Sequence, residues 1–139
     1  MAIKILIIED IPEMSQLVSM YIKKDGMEPL PALSAEEGLE ILKIETPDLV
    51  ILDLNLPGMS GFDFLKKFRS EFKTTIPVII VSVRDADQDI ISGLEYGADE
   101  FVTKPFSPKV LVARVKANLR RNSDISAAAE ETYKFGDFT

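Results

Sequence analysis

The sequence predicts a doubly wound α/β fold, and three observations carry that prediction. Short β-branched runs alternate with stretches of helical period, giving five β–α units along 139 residues. The strongest runs are apolar at every position, not at every second one, which marks strands buried on both faces of a parallel sheet. A helix between each pair of parallel strands makes a right-handed crossover. At this length the favoured arrangement is the flavodoxin-like (βα)5 order 2-1-3-4-5.

The first strand is Ile3–Ile8. Pro12 suits a first helical turn, and Met14, Leu17, Val18, Tyr21 and Ile22 follow at helical spacing until Asp25-Gly26. A weaker strand spans Glu28–Leu33; its Pro29 and Pro31 fit only a sheet edge, which this order supplies. Ser34 with Glu37 is a capping-box signature for the second helix, whose apolar positions are Leu39, Ile41 and Leu42. Leu49–Leu52 is the third strand. Ser60-Gly61 opens the third helix, with Phe62, Leu65 and Phe68 turned inward. Val78–Val83 is the fourth strand, and the helix after it covers 86–96 before Gly97. Phe101–Val102 marks the fifth strand. Ser107-Pro108 opens the last helix, which ends near Arg121.

Composition narrows the chemistry. Hydrophobic residues make up 46% and charged residues 28%, a globular balance. The net charge of -7 argues against this chain gripping DNA or an anionic membrane directly, because phosphate contact needs basic clusters. The chain has no Cys and no His, so disulfides, thiolate metal sites and imidazole chemistry are excluded; a metal here would be a hard cation on oxygen ligands. A reducing cytoplasm fits. The opening MAIKILIIED is too short in apolar residues for a signal peptide or a membrane span.

Ligands of open parallel sheets bind beyond the carboxyl ends of the strands. Those ends carry Glu9-Asp10, Asp53, Ser82 and Lys104. Taken singly, each has a plain reading: a helix cap, an Asx-turn, a turn hydroxyl, a solvated charge. Together they form a chemical set. Three carboxylates repel one another and call for a cation, of which Mg²⁺ is the suitable one without His or Cys. Lys104 and Ser82 can hold phosphoryl oxygens, and Asp53 can act as a carboxylate nucleophile that forms an acyl phosphate.

These residues resemble the receiver domain of bacterial two-component response regulators. The likeness rests on Glu9-Asp10, on Asp53 within DLNLPGMSG, on Ser82, and on Lys104-Pro105 within GADEFVTKPF, and it covers residues 3 to about 121. By position it implies that Asp53 accepts the phosphoryl group from a sensor histidine kinase. Asp10 would bind Mg²⁺ directly, Glu9 mainly through water, and the Asn55 backbone carbonyl would add a ligand. The Lys104-Pro105 peptide becomes a candidate for the cis form. Asn55 and Arg84 fall at positions that flank the incoming water and tune phosphoryl lifetime. Ser82 and Phe101 fall at the switch positions; Phe101 has no hydroxyl, from which an inward bias is expected. The family promotes only its own phosphorylation and dephosphorylation and is not an enzyme family.

The stretch GADEFVTKPFSPKVLVARVKANLRR resembles the class whose effector is a winged-helix DNA-binding domain. Such receivers form homodimers through helix 4, strand 5 and helix 5. The implied ion pairs across the two-fold axis are Glu100 with Arg114, Asp99 with Arg121, and Glu95 with Lys116. The sequence departs from the pattern at Ile90 and Val110, where an apolar contact would replace an ion pair. Residues 1–121 then read as the receiver. Residues 122–139 read as a linker plus the start of an effector domain absent from this chain, since Tyr133–Phe138 looks like a first strand. DNA would be bound only through that domain. Competing readings are a stand-alone receiver, an aspartyl-phosphate phosphatase, and a flavin carrier. The phosphatase wants an Asp where Asn55 stands. The carrier wants a hydroxyl-rich loop where Glu9-Asp10-Ile11-Pro12 stands.

Overall fold

In the computed structural model, residues 2–135 are described except 73 and 85, with side chains through Arg121. Strands β1 (Lys4–Ile8), β2 (Glu28–Ala32), β3 (Leu49–Asp53), β4 (Val78–Ser82) and β5 (Glu100–Thr103) alternate with helices α1 (Pro12–Lys24), α2 (Ala35–Leu42), α3 (Gly61–Glu71), α4 (Asp87–Glu95) and α5 (Pro108–Phe135). The strands form one sheet in the order β2-β1-β3-β4-β5, and every pairing is parallel. This is the predicted fold. Pro29 and Pro31 lie on the edge strand opposite Ile5 and Ile7, so the amide hydrogens they lack cost no ladder bond on the outer side.

The sheet separates two apolar layers because successive side chains point to opposite faces. Leu6, Ile8, Val50, Leu52, Val78 and Ile80 pack with Phe64, Leu65 and Phe68 of α3. The alternate residues Ile5, Ile7, Leu49, Ile51, Ile79 and Val81 pack with Val18 and Ile22 of α1 and with Leu111, Val112 and Val115 of α5. Phe64 and Phe68 are fully buried and stacked at 5.6 Å. Burial of each such side chain contributes about 1.5–3 kcal/mol. The predicted caps form: Ser34 Oγ accepts the Glu37 N–H at 3.0 Å, and Ser60 Oγ accepts the Asp63 N–H at 3.1 Å.

One boundary differs from the sequence reading. The α5 backbone does not end near Arg121 but runs to Phe135. The run Ala127–Glu131 consists of strong helix formers, so local propensity carries the helix through the segment read as a linker. Tyr133–Phe135 are therefore helical where a strand was expected, and the rest of that expectation, Gly136–Phe138, lies outside the described residues.

Candidate functional site

The carboxyl ends of β1, β3, β4 and β5 converge as the strand order requires. Asp53 closes the buried strand β3 and is 5% exposed; Glu9, one residue past β1, is equally buried. Burying two acids is costly unless their charges are met, because a low-dielectric interior stabilises charge poorly. The Lys104 ammonium meets both: Nζ donates to Glu9 Oε1 at 2.8 Å and to Asp53 Oδ2 at 3.3 Å. The remaining carboxylate oxygens take backbone donors. Glu9 Oε2 accepts the Ile11 N–H at 3.1 Å, and Asp53 Oδ1 accepts the Asn55 N–H at 3.2 Å.

Lys104 arrives there through the sheet. Ser82 pairs with Thr103 in register, and the Lys104 N–H donates to the Ser82 carbonyl at 2.8 Å. The Lys104-Pro105 peptide is cis. Burial pulls the Lys104 ammonium down, but the hydrogen bond and charge of Glu9 and the charge of Asp53 outweigh it, so its pKa is raised above 10.5. Ser82 is fully buried, and its hydroxyl accepts the Arg84 N–H at 3.0 Å. The Arg84 side chain turns to Asp89 at 2.5 Å and lies 5.4 Å over the Phe62 ring.

Asp10 completes the cluster from a half-buried position. Glu9, Asp10 and Asp53 each offer an oxygen, and the three lie within 4.8 Å of one another. An all-oxygen, acid-rich set with one ammonium fits a hard divalent cation such as Mg²⁺. Asn55 is exposed at the start of the β3–α3 loop. The loop needs a glycine at position 61. A Cβ there would collide with the Asp53 carbonyl and lie 2.7 Å from Leu54 Cα, so the helix could not start against the strand end. Met59, just before the Ser60 cap, donates its N–H to Glu36 Oε2 of α2 at 3.0 Å, a tie that no motif in the sequence announced.

The residues assigned to a dimer face lie on α4, β5 and α5, with Asp99 just before β5, but several already have partners within the chain. Arg114 pairs with Glu100, whose other oxygen accepts from Asn118 Nδ2 at 2.8 Å. Lys116 pairs with Asp25 at 2.6 Å. Asp99 Oδ2 takes the Val78 N–H at 2.8 Å and Arg69 at 3.1 Å. Glu95 and Arg121 are exposed. Val110 is 48% exposed and Ile90 half-buried; Ile91 and Leu94, which the sequence reading did not single out, are also exposed. Phe101 is half-buried, its ring against the open side of Gly93 in α4. Among the described residues, no helix is long and apolar enough to cross a membrane.

Comparison with known proteins agrees with this geometry. Residues 5–116 match the family described as response regulator receiver domain. The chain is 42% identical over 135 residues to the phosphate regulon transcriptional regulatory protein PhoB of Shigella flexneri, covering 96% of this chain and 58% of that protein. It is 42% identical over 131 residues to the regulatory protein VanR of Enterococcus faecium, covering 94% and 56%. The chain thus spans a little over half the length of these curated relatives. Among solved structures, a CheY-like response regulator receiver domain from Methanospirillum hungatei superposes with a TM-score of 0.84 at 26% identity, covering 89% of this chain and 98% of that one.

Proposed function

The chain belongs to the response regulator receiver domain family, and on that premise we propose that it is a phosphorylation-driven switch whose acceptor is Asp53. The observation that carries this reading is the single ammonium of Lys104 shared by two buried acids at the sheet's carboxyl end. In the reaction, an Asp53 carboxylate oxygen attacks phosphorus. The phosphorus–nitrogen bond to a kinase imidazole breaks, the imidazole takes up a proton, and an acyl phosphate forms. Asp10, Asp53 and the Asn55 carbonyl would hold Mg²⁺, with Glu9 acting mainly through water. When bound, the cation neutralises charge on the transferring group. Lys104 and the Ser82 hydroxyl take the remaining phosphoryl oxygens.

Asn55 favours a switch over a hydrolase, because an amide cannot serve as general acid. Phosphorylation adds roughly two negative charges. Ser82 would turn toward them, and Phe101 would rotate inward behind it. The α4–β5–α5 face would then join two copies, with Asp99, Glu100, Arg114 and Lys116 exchanging in-chain contacts for contacts across the axis, where the exposed Glu95 and Arg121 would join them. Residues 1–121 form the receiver in this reading. Residues 122–139 lead toward an effector domain that controls transcription, in line with the greater length of the relatives. The protein is cytoplasmic, and its upstream partner is a sensor histidine kinase.

Incubation with acetyl phosphate and Mg²⁺, followed by intact mass, tests the central claim. The wild type gains one phosphoryl group and Asp53→Asn gains none; an unmodified wild type overturns it. Sedimentation of the phosphorylated chain across a salt series tests the face. The apolar contribution of Ile90 and Val110 predicts a dimer that persists as ionic strength rises.

A further inference from the structure

A groove of about 360 Å³ runs between α1 and α5. Tyr21, Lys24 and the cap residue Asp25 form one wall. A single stripe of α5, with Lys109, Val112, Ala113 and Lys116 at i, i+3, i+4 and i+7, forms the other. Val112 is buried and Tyr21 half-buried, so the floor is apolar and the rim is charged. Lys116 is met by Asp25 at 2.6 Å. Lys24 and Lys109 are exposed, and neither forms an ion pair among the described residues. Three lysines against one aspartate leave the groove two positive charges in excess, in a chain whose net charge is -7. The α1 carbonyls that would repel an anion are already taken: those of Tyr21 and Ile22 accept the Asp25 N–H at 3.2 Å, and that of Lys23 accepts the Gly26 N–H at 3.0 Å. Lys109 lies in the first turn of α5, at the positive end of that helix.

We propose that this groove binds a small organic phosphate monoester, with its phosphate between Lys24 and Lys109 and its apolar body against Tyr21 and Val112. The volume falls at the lower end of the range for small-ligand sites, roughly 300–1,000 Å³. Two unpaired ammonium groups on facing walls repel each other, and an anion between them removes that cost. A phosphate monoester carries close to two charges at neutral pH, which matches the excess, and lysine holds phosphate as a point charge. The phenol ring of Tyr21 offers a flat apolar face to the rest of the ligand. The proposal does not rest on phosphorylation of Asp53, because no residue of the carboxylate–lysine cluster lines the groove.

The test titrates the full chain, free of Mg²⁺, with phenyl phosphate and with inorganic phosphate, read by calorimetry and by backbone amide NMR shifts. Phenyl phosphate should bind at one site with a dissociation constant below about 1 mM. The shifts should gather at residues 21–25 and 109–116. Lys24→Gln and Lys109→Gln should each raise the dissociation constant roughly 3- to 10-fold. Tyr21→Leu should weaken phenyl phosphate by a similar factor and leave inorganic phosphate within about twofold of wild type. Lys23→Gln removes an equal charge from the same helix but outside the groove, and should stay within about twofold of wild type. Absence of saturable binding overturns the proposal. So does a Lys23→Gln effect as large as that of Lys24→Gln, which would assign the affinity to general attraction by a basic helix end. Shifts gathered instead at Asp53, Ser82 and Lys104 overturn it too, since they would place the anion at the sheet's carboxyl end.

Discussion

The carboxyl end of the sheet and the α4–β5–α5 face both gather charges, but they hold them in opposite ways. At the sheet end, the Lys104 side chain is 12% exposed and faces acids that are 6% exposed. Every partner is fixed by a strand or by the backbone beside it. On the helical face, the Arg114 and Lys116 side chains are 51% and 52% exposed, and their partners Glu100 and Asp25 are 17% and 33% exposed. Water screens the second set and leaves the first nearly bare. A buried charge network holds one geometry firmly, which suits a site that must present an oxygen nucleophile. Solvated pairs exchange at small cost, which suits a surface that trades internal partners for those of a second copy.

The contrast breaks most sharply at the loop that supports Asp53. Gly61→Ala forces a Cβ into the Asp53 and Leu54 backbone, which cannot swing aside as a side chain can. We expect a loss of about 3 kcal/mol or more in urea unfolding. Lys104→Met leaves Glu9 and Asp53 buried without their counter-charge and should cost about 2–4 kcal/mol in the absence of Mg²⁺, with part of it restored by added Mg²⁺.

The pKa of Lys104 is raised in the folded state, so its stabilisation is complete below the unfolded value of 10.5 and is lost as pH rises through the higher folded value. The stability gap between wild type and Lys104→Met should therefore be flat through neutral pH and close only above 10.5. At the other region the effects are small. Arg114→Ala should cost about 0.5 kcal/mol, and the difference should fade in high salt. A loss as large as that of Lys104→Met would erase the distinction between the two regions.

What was legible in the sequence was what depends on neighbours along the chain. The apolar runs, the Ser34 and Ser60 caps and the polar residue at each strand end are local signals, and the parallel order brings the last of these together without further information. Glu9, Asp10, Asp53, Ser82 and Lys104 were therefore readable as a set. The ties of Glu36 to Met59, Arg69 to Asp99 and Lys116 to Asp25 were not. Each joins groups on segments far apart in the chain, across a gap that only packing closes, and no spacing rule relates them. The course of α5 beyond Arg121 was misread because composition alone does not separate an Ala- and Glu-rich linker from a helix.

Period, turn chemistry and crossover handedness are encoded locally, so the five β–α units, the edge placement of the proline-bearing strand, and the acids and lysine at the strand ends follow from the order of the residues. Which charges are already engaged inside the chain depends on how the elements dock. Glu100 is engaged by Arg114 and Asn118, Asp99 by Arg69 and the Val78 amide, and the loop after Asp53 by Glu36. Those choices turn on distances of a few ångströms between elements far apart in sequence. Side-chain reach sets such distances only after the sheet and helices have docked.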